Sequence, residues 1–381
     1  VAVDVNTGEY RWHYQTVHHG LWDFDLPAAP MLFDMQHEGE SIKALALPTK
    51  SAFLFVLNRE TGAPVWPIEE RPVPQSDSPY EKTSPTQPFP TWPLPFDRQG
   101  FSEDVLNDLT PELLAEAKQV MSEYDIGPLY TPPAVDGPGA KLGRLMLPAD
   151  VGGANWPGGS FDPETNRLYI HSHSAVFTLR NVPADLVPFD PSPAGQAANP
   201  RPAPAGPPPG FGGPGPQGPG GPGAAGGAPP RRVGTSLQGT IPLIKPPYDR
   251  ITAYDMNSGE MLWQKAHSTT PDNIRNNPAL AGLDVERLGA YGRIFIGTLT
   301  TKTLVIAGEG DVHTNAAGEV VALLRAYDKA TGADIAGEVE LPAKQTGSPM
   351  TYMHNGKQYI VLAVSQSGAN AGAELVAYAL P

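Results

Sequence analysis

Short runs of alternating apolar and polar residues, each broken by a cluster of Asp, Asn, Ser or Thr and closed by a glycine, recur along the chain. The shared pattern is small-x-Asp-x-x-(Thr/Ser)-Gly, often with a tryptophan four residues after the glycine. It appears as AVDVNTGEYRW (Ala2 to Trp12) and TAYDMNSGEMLW (Thr252 to Trp263). FVLNRETGAPVW (Phe55 to Trp66) places Asn58 at the Asp position, and RAYDKATGADIA (Arg325 to Ala336) lacks the tryptophan. FDPETNRLYI (Phe161 to Ile170) is a looser relative, and the closing LVAYALP has the strand half of one more copy. Period-two alternation on either side of a turn glycine reads as strand, tight turn, strand. A single Asp-x-x-Thr-Gly is ordinary turn chemistry. Four copies, three with a tryptophan at the same offset, predict a repeated sheet unit and an all-β fold of the β-propeller kind.

Two stretches depart from that pattern. Over 103–124, TPELLAEAKQVMSEY has Thr110 as a cap and Pro111 at the first helical position, with Leu113, Leu114, Ala117, Val120, Met121 and Tyr124 on one face. This predicts an amphipathic helical insertion packed on the outside of the sheets. Residues 191–232 are Pro, Gly and Ala almost throughout. With so little apolar surface to offset its ordering entropy, that stretch is expected to be a disordered loop within the domain.

Composition narrows the classes of function. The 381 residues are 40% hydrophobic, which is enough for a full-sized core. Against 40 acidic side chains stand only 26 scattered Lys and Arg, a formal net charge of −14. Nucleic acid and anionic membrane surfaces, which need clustered positive charge, are not expected partners. There is no cysteine, so disulfides, zinc thiolates and thiol nucleophiles are excluded. No apolar run approaches the roughly 18 residues needed to span a bilayer. The chain opens inside a repeat unit, which leads us to expect a piece of a longer protein.

Three segments carry a family resemblance: WHYQTVHHGLWDFDLPAAP; LPTKSAFLFVLNRETGAPVWPIEERPVPQSDSPYEKTSPTQPFP; and SPMTYMHNGKQYIVLAVS followed by ELVAYALP. They closely resemble the pyrroloquinoline quinone (PQQ)-dependent dehydrogenases, nearest the membrane-bound glucose dehydrogenase branch. The resemblance implies an eight-bladed β-propeller of which residues 1–381 supply about the C-terminal half. Trp12, Trp66 and Trp263 would then lock neighbouring blades. It implies PQQ as cofactor, with Ca²⁺, Mg²⁺ or a lanthanide beside it. The implied substrate is a sugar or other alcohol, with electrons passing to a quinone or a cytochrome. The implied location is the periplasm, with any membrane attachment through a region N-terminal to this chain. A non-catalytic propeller scaffold built from the same repeats is the rival reading, and it has no use for a carboxylate and a lysine held together.

The candidate residues follow from what the cofactor demands. A planar quinone with three carboxylates needs an apolar clamp, hydrogen-bond donors and a cation, and alcohol oxidation needs a base for the hydroxyl proton. By resemblance, Asp23 matches the family's catalytic base; read alone it is a turn-forming Asp at a strand entry. Asp25, two residues on, faces the same side in an extended segment. It reads either as a carboxylate ligand for the metal or as a structural Asp bonding backbone amides. Lys50 matches the family lysine that donates to the quinone oxygens and stabilises the charge that builds there. His18 and His19 match family positions, the expected role being that of a buried histidine orienting the loop, and Gly20 stands where the family usually has Asp. Asn155 and Trp156, in GGANWPGG, match a Gly-rich approach to the cofactor. His171, nine residues after Asp162, occupies the place of a family asparagine near the quinone; a strand-end surface histidine is the alternative.

Overall fold

A computed structural model describes residues 1–79, 81–181, 235–292, 295–337, 339–365 and 372–379. The Pro/Gly-rich stretch at 191–232 lies outside the described residues.

The alternating runs form antiparallel sheets of the expected kind. Strands Met31–His37, Glu40–Pro48 and Leu54–Asn58 form the first. Gly159–Asp162, Arg167–His173, Asp249–Asp255 and Met261–Ala266 form the second. The third contains Leu299–Thr300, Leu304–Gly308 and Val320–Asp328, with His313–Thr314 and Val339–Leu341 both paired to Val320–Asp328. The fourth is Lys344–His354, Lys357–Ser365 and Ala373–Ala379. The chain-first strand of each sheet lies against the chain-first strand of the next. The sheets are therefore arranged radially as blades, with those strands at the hub.

Strand periodicity explains why the blades stack. Along Arg167–His173, Leu168 and Ile170 enter a core with Phe33, Leu54, Val56, Tyr254 and Met256, between the first and second blades. Tyr169, one residue out of phase, enters the opposite core with Ile251, Ala253, Val305 and Ala307, between the second and third. Ile306, out of phase with Val305, joins Leu324, Ile360 and Leu362 between the third and fourth. Each central strand is thus buried on both faces, with opposite side chains serving opposite neighbours.

The repeat turns are superimposable in their bonding. In all four, the Asp or Asn Oδ1 accepts the amides two and three residues on, as at Asp255 from Asn257 (2.8 Å) and Ser258 (3.2 Å). The glycine amide returns to the carbonyl of the same residue, 2.7 Å for Gly259 to Asp255. The tryptophans reach forward to the turn of the following blade. Added at Gly62, a Cβ would come within 2.6 Å of the Trp12 ring, and at Gly332 within 2.7 Å of Trp263. At Gly259 it would meet Trp92 at 2.2 Å and Trp66 at 3.1 Å. Trp12 and Trp263 also donate to the carbonyls of Arg59 (3.1 Å) and Lys329 (3.4 Å). Glycine at φ +71 to +77 is required there both by conformation and by the ring lying over it.

The helical insertion is Pro111–Ser122, with the Thr110 side chain accepting the Leu113 amide. Leu113, Ala117, Val120 and Tyr124 pack against Ile241, Leu243, Ile244, Tyr248 and Leu280. That core also holds Leu145, Leu237 and Ile241 from the short strands Arg144–Met146, Ser236–Leu237 and Ile241–Pro242, so the helix packs on the outside of small accessory sheets and not on the faces of the four blades. Those faces are already occupied by neighbouring blades. No helix among the described residues is long and apolar enough to cross a membrane.

Candidate active site at the blade ends

The segment from Trp12 to Met31 connects the outer strand Tyr10–Trp12 to the innermost strand of the first blade. Within it, apolar and acidic residues sort to opposite sides. Trp22 and Phe24 are buried, 1% and 4% exposed, while the Asp23 and Asp25 side chains are 70% and 60% exposed. Asp23 stands at φ +59, in the left-handed region that Asp tolerates better than most residues. The segment is thus not extended at that point, yet both carboxylates face the same group.

That group is Lys50, in the tight connection between Glu40–Pro48 and Leu54–Asn58. The Lys50 side chain is only 7% exposed. Its ammonium donates to the Asp23 carbonyl (2.8 Å), to Asp23 Oδ2 (3.2 Å) and to Asp25 Oδ1. Its three hydrogens therefore match three acceptors from one segment. Two glycines, from the loop leading into Gly159–Asp162, hold the stem of the lysine. The Gly153 amide donates to the Lys50 carbonyl at 2.8 Å. Gly152, at φ +80, lies so close that a Cβ would come within 2.4 Å of Lys50 Cα and Cβ. Beside the carboxylates an open cleft of about 340 Å³ is lined by residues including Thr16, Val17, Gly20, Asp23 and Asp25.

The histidines brace this segment from its outer flank. Gln87, fully buried, clasps His18 at both backbone groups, accepting from its amide (2.8 Å) and donating to its carbonyl (2.6 Å). His18 Nε2 meets Glu70 at 2.8 Å and His19 Nε2 meets Glu81 at 2.5 Å. Burial would raise the Glu70 carboxyl, but hydrogen bonds from His18 and Thr86 outweigh it and hold it below its ordinary value. His18 is half-buried and His19 exposed, so neither is the buried histidine expected; they orient the loop through surface carboxylates instead.

Asn155, Trp156 and His171 make their contacts elsewhere. Asn155 donates to the Val151 carbonyl (2.7 Å) and accepts the Trp156 amide (2.8 Å), so its side chain closes its own loop. Trp156 is 51% exposed, and its ring lies over Gly347 of the fourth blade. His171 is enclosed, 4% exposed, which rules out the strand-end surface alternative: Asp249 of the neighbouring strand and the edge-on ring of His267, 5.7 Å away, lie against it. Its Nε2 faces Asp249 at 3.4 Å.

Around Asp249 lies a buried polar network that the sequence reading did not single out. Asp249 accepts from the Ser268 hydroxyl (2.5 Å) and from the amides of Ser268 (3.1 Å) and Ala290 (3.2 Å). Burial would raise its carboxyl, but His171, His267 and Ser268 hold it well below the usual carboxylate range. His267 bridges the Tyr327 hydroxyl (2.7 Å) and the Gly308 carbonyl (3.1 Å), and burial pushes its imidazole down to about 4. His173 is likewise lowered to about 4, by burial and by the nearby His171. Among the described residues no three His, Asp or Glu side chains gather as a metal centre.

The chain is similar to known proteins over nearly its whole length. Quinoprotein glucose dehydrogenase A of Acinetobacter calcoaceticus is 30% identical, the match covering 100% of this chain and 44% of that protein. Quinate/shikimate dehydrogenase (quinone) of Acinetobacter baylyi is 29% identical over 100% of this chain and 43% of its own length. The chain thus spans under half the length of these relatives. The crystal structure of quinohemoprotein alcohol dehydrogenase from Comamonas testosteroni matches with a TM-score of 0.51 at 19% identity, over 99% of this chain and 41% of that one, a likeness of fold. With residues 1–360 matched by the family described as "PQQ: Glucose/ethanol/alcohol dehydrogenase, beta-propeller domain", the chain belongs to that family.

Proposed function

We propose that the whole protein containing this chain is a PQQ-dependent dehydrogenase that oxidises a sugar or another alcohol. The reading rests on one observation: two exposed carboxylates, Asp23 and Asp25, converge on the enclosed ammonium of Lys50 at the edge of an open cleft. The donor set fits the cofactor. A lysine with a buried stem can donate to quinone or carboxylate oxygens once one of these replaces an Asp23 or Asp25 oxygen that now takes its hydrogens, and the exposed carboxylates are accessible to substrate. When bound, the quinone supplies the two-electron acceptor for the hydride leaving the alcohol carbon.

Asp23 serves as the base that takes the hydroxyl proton. Lys50 serves as the cation that offsets negative charge developing on the acceptor's oxygens. Asp25 keeps Lys50 oriented and is the one carboxylate here assigned to a Ca²⁺, Mg²⁺ or lanthanide ion. Since no third ligand gathers around it among the described residues, the remaining ligands would come from elsewhere in the whole protein. Asn155, Trp156 and His171 are assigned to the cofactor's surroundings on the family match alone. A periplasmic location, and transfer of electrons to a quinone or a cytochrome, are part of the same proposal. The name of the quinate/shikimate relative supports a quinone acceptor.

The test uses the full-length protein reconstituted with PQQ and Ca²⁺. Asp23→Asn is expected to lower dye reduction by about 10²-fold or more while PQQ still binds. Equal dye reduction by the variant would refute the assignment of the base.

A further inference from the structure

Tyr130 stands out among residues remote in sequence from the site. It is 1% exposed and holds φ +65, a conformation that costs a bulky aromatic residue free energy and persists only where surrounding contacts enforce it. Those contacts are the two apolar residues interleaved with the carboxylates. Its ring meets Trp22 edge-on, with centroids 5.2 Å apart, and Phe24 edge-on at 6.2 Å. Trp22 and Phe24 themselves stack at 6.4 Å. The next residue, Thr131, accepts the Trp22 indole hydrogen on its carbonyl at 2.7 Å. Phe89 closes the far side of Tyr130 at 5.5 Å. Burial pushes the Tyr130 hydroxyl up to about 12, and Ser51 beside it offsets part of that without reaching hydrogen-bond geometry. The ring therefore does the packing.

We propose that Tyr130 is a positioning residue of the site: by seating Trp22 and Phe24 inward, its ring turns Asp23 and Asp25 outward onto Lys50. The inference builds on the proposed function for its consequence in catalysis, but the geometry it concerns exists without cofactor. Alternate residues of this short segment point to opposite sides, so loss of the inner anchors lets the outer pair swing away from the ammonium.

The experiment measures acetylation of Lys50 by an amine-reactive reagent in the cofactor-free full-length protein, read by mass spectrometry. Lys329, similarly enclosed but paired with Asp162 in another part of the fold, is the internal control. In Tyr130→Leu, Lys50 is expected to label several-fold faster while Lys329 is unchanged. Tyr130→Phe, which keeps the ring, is expected to restore the parent rate. After reconstitution, Tyr130→Leu should lose roughly tenfold in kcat with little change in KM, the signature of misplaced groups. If Tyr130→Leu does not fold, Trp22→Phe removes the bond to Thr131 and should accelerate Lys50 labelling in the same way. Unchanged Lys50 labelling in a folded variant overturns the proposal, as does equal acceleration at Lys329, or Tyr130→Phe behaving like Tyr130→Leu. Fast Lys50 labelling in Tyr130→Leu together with a fully active Asp23→Asn would leave the positioning role standing and remove the base.

Discussion

Gly152 is the residue whose missing side chain lets Lys50 stand where it does. Gly152→Ala would put a methyl group within 2.4 Å of the Lys50 backbone at a φ of +80. Strain and overpacking together should cost about 2–4 kcal/mol, measured by denaturant unfolding. PQQ titration of the full-length variant should show weakened binding, because the lysine must shift. Only part of this arrangement is legible in the letters. Asp23 and Lys50 stand out through their resemblance to a known pattern, and the alternation W-D-F-D already sorts two rings from two carboxylates. Gly152 stands in the letters only as part of a Gly-rich run, because a close approach between segments far apart in the chain leaves no local signal. Tyr130 is equally silent, since a positive φ at an aromatic residue follows from tertiary packing rather than from propensity. His171 reads either as a residue near the cofactor or as a strand-end surface histidine; only its neighbours Asp249 and His267, both far along the chain, decide that it is enclosed.

Between elements, coupling rests on the tryptophans and the glycines beneath them. Trp263→Ala should destabilise the protein by about 3 kcal/mol, and Gly332→Ala should come close to that value because its Cβ would enter the same ring. The two changes occupy one contact, so the double variant should lose less than the sum. Thermal unfolding of all three variants checks both statements. Turn chemistry made these repeats readable: Asp, Thr or Ser, and Gly each satisfy a defined backbone group, so their spacing is fixed. The forward direction of the tryptophan contact was not readable from spacing, nor was Trp92, which lies outside any repeat yet donates to the Ser258 carbonyl at 2.7 Å beside Trp66. The helix was legible at its start, where Thr110 and Pro111 act locally. Its seat was not, because an apolar stripe does not specify which apolar surface covers it.

Across the whole molecule, the buried polar network makes stability depend on pH. His267 and His173 are held neutral in the fold, with values near 4 against an ordinary 6.5. Between those values the unfolded chain takes up protons that the folded one refuses, so stability falls as pH drops from 6.5 toward 4. Burial would raise the Glu309 carboxyl, but His313, Arg325 and Thr269 hold it at about 2 against 4.5. Its stabilising share is therefore lost as pH falls from 4.5 toward 2. Melting temperature should decline steadily from about pH 7 to about pH 4 and further below, and His267→Gln should flatten the upper part of that decline. The forward-reaching tryptophans also order events during synthesis. On the ribosome, Trp12 waits 47 residues for the carbonyl of Arg59, and Trp263 waits 66 for that of Lys329. Trp92 waits 166 residues for Ser258. Of these three contacts, the one across the seam between the first two blades therefore has the longest interval as a nascent chain: Leu168 and Ile170 can cover part of the first blade early, but the share of Tyr254 and Met256 waits until translation has passed the Pro/Gly-rich stretch.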